Sequence, residues 1–508
     1  EDGIRDYKVT GVQTCALPIF QRSPSPRRSQ ELSSRFTNRV LILGAGSVSQ
    51  SVLPLLVEHL VDAKNITIFD QRDNRERVAD AIKKGATYVQ DVITRENLDS
   101  QLSKYLRAGD FLLDLAWNID ANTILQWCYD HGVMYLNTSI EEWDPYAGGS
   151  NKNPLDRTLY YRHMRMREMR STWDKKGATA IVEHGANPGL VSHLVKKALV
   201  DIGTRAIKEG KAAAGVEAAL TSESYNELAH SLGVKVIHIS ERDTQVTNRP
   251  KQWGEFVNTW SVEGFYEEGV APAELGWGTH EKSLPVNAYE HPAGPKNQIA
   301  IAQPGATTWV RSWVPHFEIQ GMVIRHGEAF TISDHLTVWD KEKALYRPTV
   351  HYAYCPSNEA IVSMRELEML NWKLHTNQRI MNDEITDGDD RLGVLLMGHP
   401  YRSWWTGSLL SIEESRRLIP GQSATTVQVS SAVYAAVAWA MKNPHQGLLV
   451  PDDLPWREVL GYAEKYWGGI HSEAADWDPL INRRDLFEGW NNKKVDKSDP
   501  WQFSNFLV

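Results

Sequence analysis

Apolar and polar positions alternate in a repeating way over the first part of the chain. Short apolar runs at 40–43, 66–69, 87–89, 111–115, 133–138 and 179–182 read as strands. Stretches between them, at 74–84, 95–106 and 121–131, carry helical spacing, and Gly132 supplies the third with a stop signal. Strands alternating with helices predict an α/β fold with a doubly wound parallel sheet. Near residue 205 the pattern changes. Strand-like pieces at 235–240 and 322–325 appear between turns, with helical signals such as 359–370, and predict a second, α+β domain with a mixed or antiparallel sheet. The run 424–441 is apolar and rich in small residues, and Asn443-Pro444 stops it. It reads as a buried helix that returns to the first domain. The expected divisions are 37–203, 204–423 and a C-terminal helical segment, 424–508. Residues 1–36 have no periodic pattern and contain Pro24, Pro26 and Arg27-Arg28. They read as a disordered, non-native segment, and Glu1, Asp2 and Asp6 argue against a transit peptide.

The first strand enters Gly44-Ala45-Gly46-Ser47-Val48-Ser49, a helix-compatible segment follows, and the second strand ends in Asp70. Together these form the dinucleotide-binding fingerprint of a Rossmann-type sheet. Gly44 allows the tight turn, and Gly46 lets the backbone approach a pyrophosphate resting on the helix N-terminus. Ser49 stands at the third glycine position. Asp70 is placed to take the ribose hydroxyls and to repel a 2′-phosphate, so NAD is the expected cofactor. Arg72 could instead accommodate that phosphate; Asp70 weighs more because it ends the strand. In such sheets ligands bind at the carboxyl ends of strands. The candidate cofactor contacts are therefore Gly44, Gly46, Ser47, Val48, Asp70, Asp114, Asn118, Thr138, Asn187 and Pro188. Asn187-Pro188-Gly189 also reads as an N-cap followed by Pro at the first helical position.

Charge and composition narrow the function. The 508 residues carry a formal net charge of −9, which argues against nucleic-acid binding and suits a cationic substrate. Mean hydropathy is −0.43, and no apolar run reaches the roughly 18 residues of a membrane span. Three cysteines, Cys15, Cys128 and Cys355, are too few for a disulfide framework and point to a reducing cytoplasm. With no CxxC and no HExxH, no metal is expected.

The segments GAGSVSQ (44–50), DLAWNID (114–120), NTSIEEW (137–143), EHGANPGLVSH (183–193), ISERDTQ (239–245), NTWSVEGFYEE (258–268) and IRHGEAFTI (324–332) follow one another in this order. Together they resemble the bacterial homospermidine synthase family, of the saccharopine-dehydrogenase-like superfamily, from about Asn38 to the C-terminus. The resemblance implies a Rossmann domain plus a substrate and dimerisation domain of the saccharopine-dehydrogenase type. It implies condensation of two putrescines, or of spermidine and putrescine, to homospermidine with release of ammonia. Tightly held NAD would remove a hydride and return it to a new imine, without net redox change. We expect a homodimer.

The residues themselves supply the chemistry such a reaction needs. A diamine rests as a dication, so a base must first neutralise the reacting amine. Carboxylates or an aromatic face must hold the remote ammonium and the developing iminium. The matched segments offer Glu141 and Glu142, Glu241, Glu267 and Glu268, Glu328, and Asp387, Asp389 and Asp390. The family likeness singles out Trp260, Glu268, Glu241, His326, Glu328, Asn187, Glu142 and Asp390 as the catalytic set. His326 and Glu328 are expected to alternate on a strand and face one side, with Arg325 pointing the other way. Each acid has an ordinary reading as a solvated side chain, His326 as a satisfied core histidine, and Trp260 as packing among 19 tryptophans. Two alternatives stay open: a carboxynorspermidine or saccharopine-type reductase, which would need Arg242 or Arg325 for a carboxylate, and a non-catalytic NAD-binding protein.

Overall fold

The computed structural model describes residues 35–145, 152–484, 486–487, 490 and 495–508. The first domain carries the parallel sheet. Its strands are β1 (Val40–Leu43), β2 (Ile66–Asp70), β3 (Thr87–Gln90), β4 (Phe111–Asp114), β5 (Met134–Asn137) and β6 (Ala180–Ile181). The helices that matter here are α1 (Ser47–His59), α2 (Ala121–His131), α3 (Leu159–Ser171) and α4 (Leu190–Lys208). The strand order is β6-β5-β4-β1-β2-β3, and Leu448–Leu449 adds in parallel outside β6. β1 and β4 are buried at every position because helices cover both faces. Their side chains split by strand periodicity: Ile42 and Leu113 join the core on one face, Leu41 and Leu112 the core on the other.

The second domain is built on a ten-stranded mixed sheet. Its strands are β7 (Val236–Asp243), β8 (Pro272–Gly276), β9 (Ala288–Glu290), β10 (Gln298–Pro304), β11 (Trp309–Val314), β12 (Phe317–Met322), β13 (Thr349–Cys355), β14 (Asp389–Met397) and β15 (Ser403–Ser411). The order is β9-β10-β8-β13-β7-β14-β15, with His471–Ala474 outside β15 and the β11–β12 hairpin attached to β13. β13 and β7 run parallel, whereas β14 is antiparallel to β7. Helices α5 (Val262–Val270) and α6 (Glu328–His335) border the site. The expected Rossmann-type sheet with a second α+β domain is borne out.

The helix α7 (Ala424–Lys442) is buried along nearly its whole length and packs on α1, where the Ser51 and Ser430 hydroxyls meet at 2.7 Å. The segment 424–508 is not purely helical, because Leu448–Leu449 and His471–Ala474 extend the two sheets. Residues 1–34, expected to be disordered, lie outside the described residues. Arg35 and Phe36 belong to the fold: the Phe36 amide donates to the Leu60 carbonyl at 2.8 Å. The strand expected at 322–325 ends at Met322, and Glu328 opens α6. His326 and Glu328 therefore do not alternate on a strand. No described helix is long and apolar enough to cross a membrane.

Candidate active site

The fingerprint builds a cleft of about 430 Å³ over the carboxyl ends of β1 and β2. Gly44 sits at φ +88°, and a Cβ there would lie 2.7 Å from the Leu115 carbonyl oxygen, so only glycine fits. A Cβ on Gly46 would meet nothing within 4 Å, so the backbone at the start of α1 faces open space. That helix end has no side-chain cap and no acid in its first turn, which leaves its amides to an anion. The Ser49 hydroxyl, at the third glycine position, donates inward to the Gly44 carbonyl at 2.5 Å. Asp70 lines the cleft while accepting the Ala45 and Arg72 amides, each at 2.7 Å. It therefore fixes the turn and presents negative charge where a ribose would lie. These features fit a dinucleotide whose pyrophosphate rests on α1.

A second cavity, of about 180 Å³, opens beside the first. Val48, Trp117 and Ser261 line both, so the two spaces join there. Six carboxyl groups line the second cavity: Asp114, Glu141, Glu183, Glu241, Glu267 and Glu268. They arrive from β4, from the loop after β5, from the chain just past β6, and from β7 and α5. Strand periodicity puts Glu241 and Asp243 on one face of β7, and Tyr352 and Tyr354 on one face of the adjacent β13.

Glu241 is buried. It accepts the Asn187 amide at 3.0 Å and the Tyr352 hydroxyl. Burial pushes its carboxyl up to about 8, against the pull of the Tyr352 hydrogen bond. Across the cavity the two His326 ring nitrogens meet Glu268 at 3.0 Å and Glu328 at 3.1 Å. Burial alone would hold the imidazole neutral, but the two carboxylates keep it protonated well above the ordinary histidine range. Glu267 binds Arg162 at 2.8 Å, Arg325, and the Trp117 indole N–H at 3.0 Å. Burial works to raise its carboxyl, and the Arg325 and Arg162 guanidinium groups overcome this and hold it down at about 2. Burial and the Glu267 charge instead push Glu141 up to about 8.

Residues 40–181 match the saccharopine dehydrogenase NADP binding domain, and 185–468 the saccharopine dehydrogenase C-terminal domain. The homospermidine synthase of Blastochloris viridis is 41% identical over 93% of this chain and 98% of its own length. That of Mesorhizobium japonicum is 40% identical over 93% and 96%. The chain belongs to the homospermidine synthase family. The crystal structure of the Legionella pneumophila homospermidine synthase, determined in complex with NAD, superposes with a TM-score of 0.82 at 36% identity, covering 93% of this chain and 99% of that one.

Membership of the homospermidine synthase family puts the expected site residues in context. Gly44, Gly46, Ser47, Val48, Asp70 and Asn118 line the nucleotide cleft. Asp114, Thr138, Asn187 and Pro188 line the second cavity instead, close to the junction. Trp260, Glu241, Glu268 and His326 line it as well. The Trp260 indole N–H donates to the Tyr354 hydroxyl at 3.0 Å, which fixes the ring. Three expected catalytic residues do not reach the cavity. Glu142 turns away and pairs with Arg165 at 2.7 Å and Arg162 at 3.4 Å, leaving its neighbour Glu141 inside. Glu328 stands behind His326. Asp390 lies one hydrogen bond back, accepting from Thr425, whose side chain lines the wall. Asn187 is not an N-cap: Gly189 holds that position before Leu190, and Pro188 precedes the helix. Arg325 does not point away from His326, since both line the same cavity. Sequence reasoning passed over Glu183, Tyr352 and Trp117. Glu183 could have been found, because it follows directly on the strand expected at 179–182.

Proposed function

We propose that this chain is an NAD-dependent homospermidine synthase acting on putrescine, with spermidine as a second aminobutyl donor. The observation that carries the reading is the carboxyl-lined cavity joined to a nucleotide cleft. A cationic substrate suits a cavity with so many acids, and its opening into the nucleotide cleft suits hydride exchange between the two. Bound NAD supplies reversible hydride acceptance at the donor carbon.

The remaining work falls to side chains. Glu241, with a carboxyl near 8, is matched to exchange a proton with an amine close to neutral pH. Asn187 and Tyr352 hold that carboxyl in place. Glu268, oriented by protonated His326, takes an ammonium group, and the Trp260 face covers the cation between them. The reductase alternative would draw on Arg325 or Arg242. Arg325 is engaged by Glu267 and the Arg157 carbonyl, and Arg242 by the Pro356 carbonyl. Cys128 and Cys355 are thiols, which fits a cytoplasmic enzyme, and we place it there as a homodimer.

Incubation with putrescine and NAD, followed by product analysis, tests the reading. Homospermidine and ammonia without net NADH are expected. Stoichiometric NADH, or no amine product, overturns it. A second test concerns the nucleotide. Asp70→Asn keeps an acceptor for the Ala45 amide and removes the charge that opposes a 2′-phosphate. The ratio of NAD to NADP affinity should fall by on the order of tenfold, about 1.4 kcal/mol. An unchanged ratio in titration would assign the choice to Arg72 or Arg77, which line the same cleft.

A further inference from the structure

Glu183 is an anomaly of this site. It is buried, yet it adopts φ +58°, a left-handed conformation rare for a residue with a long side chain. Its Oε2 meets His163 Nε2 at 2.7 Å, and both side chains are fully enclosed. Its Oε1 is buried with no hydrogen-bond partner. The carboxyl lies directly against Gly327, where a Cβ would collide with it. Gly327 is the residue between His326 and Glu328. Glu328 Oε2 is likewise buried without a partner, and the Glu183 charge adds to the burial that raises the Glu328 carboxyl. Two buried carboxylate oxygens therefore lack a partner at this turn, one on Glu328 behind His326 and one on Glu183, which lines the cavity itself.

The reaction proposed above, on which this inference rests, creates a need for a second proton-holding group. Two ammonium groups must each lose a proton before the chemistry: the donor, so that its carbon can release a hydride, and the acceptor, so that its nitrogen can add to the iminium carbon. Two protons go back later. One joins the ammonia that leaves as the carbon–nitrogen bond breaks, and one joins the new secondary amine after the hydride returns. The sum balances, but the protein must hold two protons in the interval. Glu241 takes one. We infer that the Glu183–His163 pair holds the other, receiving it directly from the cavity that the Glu183 side chain lines. The Asn137 side chain accepts the Glu183 amide at 2.7 Å, which sets the strained backbone. Phe330, with its ring 4.8 Å from that of His163, keeps the pair dry. The charged groups facing the pair are His326 and Glu328, with Arg167 over the far side of Phe330. Glu183 and His163 are positioning residues for a proton; neither carries out the carbon chemistry.

Glu183→Gln keeps the shape and the bond to His163 while removing the capacity to hold a proton. In the full-length enzyme with NAD, kcat on putrescine should fall on the order of 10²-fold. KM and NAD affinity should stay within about threefold, and the slowing of kcat in D2O should grow. His163→Gln should do the same, and the double variant should be no worse than either single one, because the pair works as a unit. Gly327→Ala, which removes no ionisable group but displaces the Glu183 carboxyl, should reproduce the loss. Difference infrared spectra on amine binding should show a buried carboxylic-acid band that Glu183→Gln lacks. A merely structural pair predicts lower thermal stability with kcat per NAD-binding site and the D2O effect unchanged, and that result overturns the inference. Wild-type product formation is read in the same assay, so failure of the synthase reading is seen separately.

Discussion

Replacing Glu241 by Gln should nearly abolish turnover while making the protein more stable at alkaline pH. The carboxyl is held at about 8 by burial, far above the value of about 4.3 for a free glutamate. A raised carboxyl favours folding fully below the unfolded value, and that contribution is lost as pH rises through the folded one. Wild-type enzyme should therefore lose stability between about pH 4.5 and 8 from this group, and Glu241→Gln should not. The Tm difference between the two should be small at pH 5, grow with pH, and level off above about 8. Turnover should fall by on the order of 10²–10⁴-fold, the usual contribution of a positioned acid or base. NAD binding should survive, because Glu241 lines only the second cavity. Putrescine should raise the Tm of the wild type at pH 8 more than that of the variant, since its ammonium compensates the charge only the wild type carries. Near-normal turnover, or a Tm difference flat with pH, would remove Glu241 from the mechanism.

The turn of the nucleotide cleft was legible, although Asp114, Thr138, Asn187 and Pro188 line the second cavity instead. The strand, turn and helix of the cleft are local, and Gly44, Gly46 and Asp70 act through backbone geometry that the sequence spacing itself dictates. The second cavity was legible as a set of strand ends, because parallel sheets deliver ligands there. Glu241 was named by family likeness, and it lies within β7, past the end of the strand expected at 235–240. The choice within adjacent pairs was not legible. Glu141 and Glu142 follow β5 in an irregular loop, and only long-range partners, Arg162 and Arg165 on α3, decide which one turns inward. His326 and Glu328 looked like a strand pair because Met322-Val323-Ile324 is apolar; the chain instead leaves β12 and enters α6, so the two residues stack one behind the other. Family likeness named Asp390 for the site, but the pairing of β14 with β7 sets it one hydrogen bond behind Thr425 from α7.

The buried charges around Glu267 yield a prediction whose sign depends on background. Glu267 neutralises two enclosed guanidinium groups, those of Arg162 and Arg325. Glu267→Gln leaves them short of a counter-charge, and breaking a buried pair from one side costs about 3–5 kcal/mol. The loss should be greatest at neutral pH. The Glu267 carboxyl is depressed to about 2, so its contribution is complete above the unfolded value and disappears as pH falls from about 4.5 towards 2. Glu141 makes the test sharper. In the wild type its carboxyl is held at about 8 by burial and by the nearby Glu267 charge. Glu141→Gln should therefore be neutral or stabilising near pH 8. Once Glu267 is removed, Glu141, which feels both guanidinium charges, ionises more readily and adds to the compensation that Glu142 gives Arg162 at 3.4 Å. In that background Glu141→Gln should be destabilising. Urea unfolding of the wild type, both single variants and the double variant at pH 8 measures the coupling, expected at about 1–3 kcal/mol. An identical effect of Glu141→Gln in both backgrounds would mean that the two acids do not share the arginines, and the electrostatic account of this wall of the cavity would be wrong.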